Sequence, residues 1–111
     1  MNCIRSFPWV HGLKEKYAAK GFQVIGIHTP EFDYEKDRTR VMRVVNRYQL
    51  DHPIMMDNDY AYWRALNNRY WPAFYLVDQS GRIVAAEFGE MHEGDTYASR
   101  MESKIKSLLN Q

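Results

Sequence analysis

The sequence predicts an α/β fold, a mixed sheet covered by helices on both faces. Three observations carry that prediction. Stretches with apolar residues at three- and four-residue steps alternate with short runs rich in β-branched residues. A tight turn, Asp78-Gln79-Ser80-Gly81, joins the last two of those runs into a hairpin. No internal repeat, low-complexity tract or Pro/Ser-rich linker interrupts the 111 residues, so they read as one domain, 1–111.

The elements follow in order. From about Ile4 to Lys20 a helix is expected, with Phe7, Val10, Leu13 and Tyr17 on its apolar face and Gly21 as its stop. Pro8 falls in its first turns, where a missing N–H costs least, and can kink it. FQVIGIHT (22–29) barely alternates and reads as a strand buried on both faces. A loop, TPEFD, leads to a second helix over Tyr34–Tyr48 with Val41, Val44, Val45 and Tyr48 on one face. HPIMMD is a short strand and YAYWRALN a short helix. AFYLVD and RIVAAEFG are the hairpin strands. The last helix runs from about Asp95 to Leu109 with Tyr97, Met101, Ile105 and Leu108 inward. The order α-β-α-β-α-β-β-α lacks a strand at its front, because a right-handed β-α-β unit places a strand before the first covering helix.

Composition narrows the function. Hydrophobic residues make up 45%, enough for a core, and a formal net charge of +1 gives no general attraction to nucleic acid. No apolar run approaches a membrane span, and the first ten residues, with Arg5 and Pro8, have no signal-peptide core. The single cysteine, Cys3, excludes an internal disulfide framework and a zinc–cysteine cluster. His11, His28, His52 and His92 have no metal-ligand spacing, and DNDYAYWRALNN lacks the Gly and Glu that a calcium loop needs. No Gly-rich phosphate loop is present, and Gly89 and Gly94 bracket a polar loop without a fingerprint. Trp63, Tyr70 and Trp71 read as core and groove wall. Neither metal nor organic cofactor is expected.

The segment N-C-I-R-S-F-P at residues 2–8, the stretch VIGIHTPEF with Glu31, and DNDYAYWRALNNRYWPAFYLVDQSGRI with Trp71-Pro72 just before a strand share one pattern. In these the chain resembles the thioredoxin-like superfamily, above all the TlpA/ResA-type thiol–disulfide oxidoreductases and the thioredoxin-like domains of DipZ-type proteins. The resemblance covers nearly the whole chain. In that group a strand leads into Cys-x-x-Cys at the opening of a helix. Cys3 matches the second, resolving cysteine, Met1 falls in the x position, and the first cysteine would lie one residue earlier. The resemblance further implies that Glu31 is a proton acceptor near the thiols, that Pro72 is a cis-proline in the substrate loop, and that Trp71 is part of the groove wall. It also implies that the absent first strand is the central one, between QVIGIHT and AFYLVD. The chain is therefore expected to be N-terminally incomplete, with roughly 20–30 further residues in a full-length form, judged from a strand and its lead-in.

The chemistry behind these expectations is general. Unpaired N–H groups and aligned peptide dipoles at a helix N-terminus stabilise a thiolate. The first cysteine attacks a substrate disulfide and the second resolves the mixed disulfide. The implied partners are protein dithiols and disulfides, and the implied setting is the bacterial periplasm or the extracytoplasmic side of the membrane, with no membrane contact by this domain itself. Two other readings stay open: a peroxiredoxin-type thiol peroxidase, which needs a T-x-x-C context not visible in the chain, and a non-catalytic interaction module. The latter draws on Lys36, Arg40, Arg43 and Arg47, which fall on one arc of the expected second helix. Without the resemblance, Cys3 reads as a small buried hydrophobe, Glu31 as a solvated loop carboxylate, and the basic arc as a solvated helix face.

Overall fold

The computed structural model describes residues 2–110, and side chains from Ile4 to Asn110. The elements are α1 (Asn2–Arg5), α2 (Phe7–Tyr17), β1 (Gly26–His28), α3 (Arg38–Arg47), β2 (Ile54–Met56), α4 (Ala61–Ala65), β3 (Ala73–Val77), β4 (Ile83–Phe88) and α5 (Thr96–Leu109), with 3-10 turns at Ala18–Lys20 and Asp33–Lys36. Two compact units form, Met1–Phe22 with Arg69–Gln111, and Gln23–Asn68.

The first unit is built around α2, α5 and the hairpin. Its core is Trp9, Leu13, Tyr17, Leu76, Met91, Ala98, Met101 and Ile105, and Trp9 stands edge-on to Phe74 at 5.2 Å between centroids. The single helix expected over 4–20 is broken at Ser6. Pro8 has no N–H for the Ile4 carbonyl, so the helix restarts at Phe7 with proline in its first turn, where that loss is harmless. The buried face differs from the one expected: Trp9 is buried where Phe7 was expected, and Phe7 and Val10 are only half-buried. In α5, Tyr97 is 53% exposed rather than inward. Ala98 occupies the core position instead, and Tyr97 lies under the Arg100 guanidinium at 4.8 Å. The two long helices also meet through Tyr17, whose hydroxyl donates to Glu102 Oε2 at 2.5 Å. Burial, then the Glu102 bond and charge, pushes the Tyr17 phenol up to about 12. The same bond holds Glu102 below the usual carboxylate range against burial, with Lys16 adding at 3.4 Å. β3 and β4 are antiparallel, Ala73 opposite Phe88, with a bulge at Leu76/Val77. Their turn is tied by Asp78 Oδ1, which accepts from Ser80 N and Arg82 N, both at 2.9 Å.

The second unit holds β1 and β2, parallel, with Gly26 opposite Ile54 and His28 opposite Met56. Gly26 sits at a close approach: a Cβ there would meet Ile54 Cγ1 at 3.1 Å and His52 Nε2 at 3.3 Å, so those side chains would have to give by a few tenths of an ångström. The stretch expected to be buried on both faces alternates instead. Ile25 is 64% and Ile27 41% exposed, while Val24, Gly26 and His28 are half-buried. β-branched content reports strand propensity and does not by itself report burial on both faces. The second helix starts at Arg38, not Tyr34, because Asp37 caps it: its Oδ1 accepts from Thr39 N at 2.9 Å. Lys36 thus lies in the preceding 3-10 turn, outside the helix on which the basic arc was drawn. The α3 valines expected on one face are half-buried, and Tyr48 is exposed beneath Arg47.

The two sheets have two strands each, β1–β2 and β3–β4. The central strand that the resemblance implies is not among the described residues. The fold is thioredoxin-like α/β with small sheets.

Asp57 organises the second unit. It is 1% exposed and follows β2, where its N–H extends the ladder by donating to the His28 carbonyl at 2.8 Å. Its Oδ2 accepts from Thr29 Oγ1 at 2.7 Å and Trp63 N at 3.0 Å, and its Oδ1 from Tyr62 N at 3.0 Å. Burial alone would raise its pKa from 3.8; the donors Thr29, Tyr62, Trp63 and Ala61 outweigh burial and hold it below that value. Asp57→Ala strips these donors of their acceptor and is expected to cost about 3 kcal/mol in urea unfolding at neutral pH. A folded pKa below the unfolded one gives stability that is present above the unfolded value and is lost as pH falls through the folded value. The stability gap between native protein and Asp57→Asn should therefore narrow as pH falls from neutral to the acid side of an ordinary carboxylate.

Candidate functional site

Cys3 lies in α1, in the first unit; its side chain, like the x-position residue Met1, falls outside the described part. α1 is one short turn, so the aligned peptides behind Cys3 are far fewer than the continuous helix would have supplied. What holds that turn is specific. Ser6, at the break, is 1% exposed and its Oγ accepts from Met91 N at 2.9 Å. Met91 is itself 1% exposed and packs in the core. Arg5 Nη1 lies 3.6 Å from Glu90 Oε1, and Glu90 also meets His92. His92 and Arg5 together hold the Glu90 carboxyl below the usual range, the His92 bond first. The loop after β4, read as polar, is therefore pinned by its one apolar residue against the segment that carries Cys3.

Trp71 and Pro72 belong to the same unit. The Trp71–Pro72 peptide bond is cis, Pro72 is buried and Trp71 half-buried. The Pro72 carbonyl accepts from Gly89 N at 2.9 Å, so it is engaged by the far end of the hairpin. Tyr70, expected as core or groove wall, is 63% exposed.

Glu31 lies in the second unit and is exposed. Its loop is fixed at both ends. Thr29 is bound to Asp57, and the Glu35 carboxylate accepts from Glu31 N at 2.7 Å and Phe32 N at 3.1 Å. His28 Nε2 pairs with the Glu35 carbonyl at 2.8 Å. The structure thus brings Cys3, Trp71 and Pro72 into one unit and assigns Glu31 to the other. Ser6, Met91 and Asp57 were missed from sequence. A serine before Phe-Pro and a methionine in a polar loop have no local signal, because their bond spans 85 positions, and the aspartate after β2 is buried only by a fold that also brings Thr29 to it. Among the described residues no group of His, Cys, Asp and Glu is arranged to hold a metal ion.

Replacing Ser6 by alanine leaves the Met91 N–H buried without its acceptor, a loss of about 1–3 kcal/mol. The Met91 amide is expected to lose hydrogen-exchange protection in that variant while amides in the middle of α5 keep theirs. Unchanged Met91 protection would mean that the loop is held by packing alone.

The chain is similar to known proteins in sequence and in fold. The chain is 40% identical over 110 residues to Protein DipZ of Mycobacterium bovis, covering 99% of this chain and 15% of that protein. It is 27% identical over 81 residues to the thiol-disulfide oxidoreductase YkuV of Bacillus subtilis, covering 73% of this chain and 54% of YkuV. In structure it is similar to a Chlorobium tepidum chain assigned as thiol:disulfide interchange protein DsbE, with a TM-score of 0.83 and 22% identity over 97% of this chain and 71% of that one. At that identity the likeness concerns the fold. The Redoxin family model matches residues 2–109, and the chain belongs to the Redoxin family.

Proposed function

We propose that the chain takes part in thiol–disulfide exchange, with Cys3 as the resolving thiol. The observation that carries this reading is the position of the single cysteine, in the turn that opens a thioredoxin-like fold, within N-C-I-R-S-F-P. Relatives named as thiol-disulfide oxidoreductases support it. In the step assigned to Cys3, its thiolate attacks the mixed disulfide between an attacking cysteine and the substrate. A sulfur–sulfur bond forms to the attacking cysteine, and the substrate sulfur leaves as a thiolate that takes up a proton. Cys3 is the one thiol in the 111 residues, so the attacking sulfur and the partner dithiol that supplies electrons both come from outside them. Glu31 is proposed as the proton acceptor for the Cys3 thiol, and Trp71 and cis-Pro72 as the wall and loop that meet an extended substrate. Protein dithiols and disulfides are the proposed partners, and the extracytoplasmic side of a bacterial membrane the proposed setting. No described helix is long and apolar enough to cross a membrane.

The test is the intact mass of the protein from its native cells, with thiols counted by alkylation before and after reduction. Two thiols that pair on oxidation support exchange through Cys3. One thiol that stays reduced, with Cys3→Ala retaining biological activity, overturns it in favour of a non-catalytic module. Consumption of hydrogen peroxide without disulfide reduction would move the reading to a thiol peroxidase. In the native protein, Cys3→Ser is expected to stop turnover at the mixed disulfide, which mass spectrometry detects as a trapped adduct. Glu31→Gln is expected to slow resolution roughly 100-fold near neutral pH, the lower end of general-base contributions. A Glu31→Gln protein that resolves at the native rate removes Glu31 from the mechanism.

A further inference from the structure

The cations of the second unit gather in one stretch, although the unit as a whole is not basic. Between Lys36 and Tyr48 stand five cations and one carboxylate, in a chain whose formal net charge is +1. Arg40, Arg43 and Arg47 lie within about 60° of arc on α3, over a rise of about 10 Å. All three are exposed, and among the described residues none of them has a carboxylate partner. Elsewhere Lys16, Lys36, Arg82 and Arg100 are each paired with an acid.

The cations are also held in place. Phe32 and Tyr34 stack face to face at 5.6 Å with 7° between their planes, although each is about half exposed. The Arg40 guanidinium lies 4.7 Å from the Tyr34 ring centre, so the three groups form a layered stack. Arg47 lies 5.6 Å from the Tyr48 ring centre in the same way. Stacking occupies the face of a guanidinium and leaves its N–H edge available, which is the edge that binds a carboxylate in two parallel bonds. Exposed tyrosine, arginine and methionine together, with Met42 46% exposed beside them, make the composition of a protein interface rather than of a solvated face.

We propose that the Phe32–Tyr34–Arg40 stack, with Arg43 and Arg47 of α3, is a docking site for an acidic protein segment. The site belongs to the second unit and Cys3 to the first, and docking there does not depend on exchange chemistry. A membrane surface fits it less well. The α3 valines that would enter lipid are half-buried in the protein, and the helix has ten residues. Nucleic acid fits less well too, because a chain of net charge +1 lacks the broad positive field that backbone binding draws on.

The test measures fluorescence anisotropy of a short labelled peptide of alternating glutamate and leucine. The comparison probes are its lysine–leucine counterpart, phosphatidylglycerol vesicles and an oligo-dT strand. The native protein is expected to bind the glutamate peptide and not the lysine peptide, more weakly at high salt. The double variant Arg40→Glu/Arg43→Glu should lose about tenfold or more in affinity. Arg40→Lys, which keeps charge and loses the planar edge, should lose several-fold. Circular dichroism and urea unfolding show whether each variant folds; Arg43→Glu/Arg47→Glu replaces the first pair if it does not. Absence of binding to the glutamate peptide, equal binding by native and variant proteins, or tighter binding to the vesicles or to oligo-dT each overturns the proposal.

Discussion

A carboxylate sealed from water is tolerable only where donors replace its hydration, and Asp57 meets that condition through Thr29 and the first N–H groups of α4. The consequence is geometric. One side chain fixes the exit of β1, the end of β2 and the start of α4 at a single point. The loop that carries Glu31 leaves from Thr29, so it is anchored before it begins. At its other end the Glu35 carboxylate gathers the N–H groups of Glu31 and Phe32. The aromatic stack that carries Arg40 stands on this loop and on α3, whose start is set by the Asp37 cap. Electrostatic pinning at two acids thus substitutes for the apolar packing this unit lacks, since α3 has no fully buried residue.

The unit that carries Cys3 follows a different logic. Its stability rests on aromatic and aliphatic burial between α2, α5 and the hairpin, with Tyr17 and Glu102 as a polar tie across the helices. Proline at residue 8 breaks the first helix, and the break produces a buried serine whose hydroxyl accepts the Met91 N–H. The element that holds the thiol is therefore positioned by the loop after β4 as much as by its own helix. The Ser6–Met91 bond, one residue from Arg5 and its Glu90 contact, ties the backbone after α1 to the loop that follows β4.

The sheets follow the same division. β1 is three residues long and pairs only with β2 among the described residues, while β3 pairs only with β4. The alternation of exposed and half-buried residues across 23–28 shows one face of β1 without full cover. Short strands limit the row of backbone groups that such an edge leaves unpaired.

Element type was legible in the sequence wherever a local period or a local breaker decides it. The hairpin needed only Asp78 and Gly81, and the last helix only its three- and four-residue apolar spacing. The fold class and the place of Cys3 within N-C-I-R-S-F-P came from the order of elements and from motif spacing, which are also local. Tertiary structure decided which face of each helix is buried, because Trp9 over Phe7 and Ala98 over Tyr97 depend on what stands opposite, not on period. It likewise decided where helices begin, through Asp37 and Pro8, since a cap or a lost N–H outweighs the weak propensity of a few residues. Asp57, Ser6 and Met91 were visible only in three dimensions: a buried polar group is defined by the partner that satisfies it, and Met91 for Ser6 and Thr29 for Asp57 are distant in the chain.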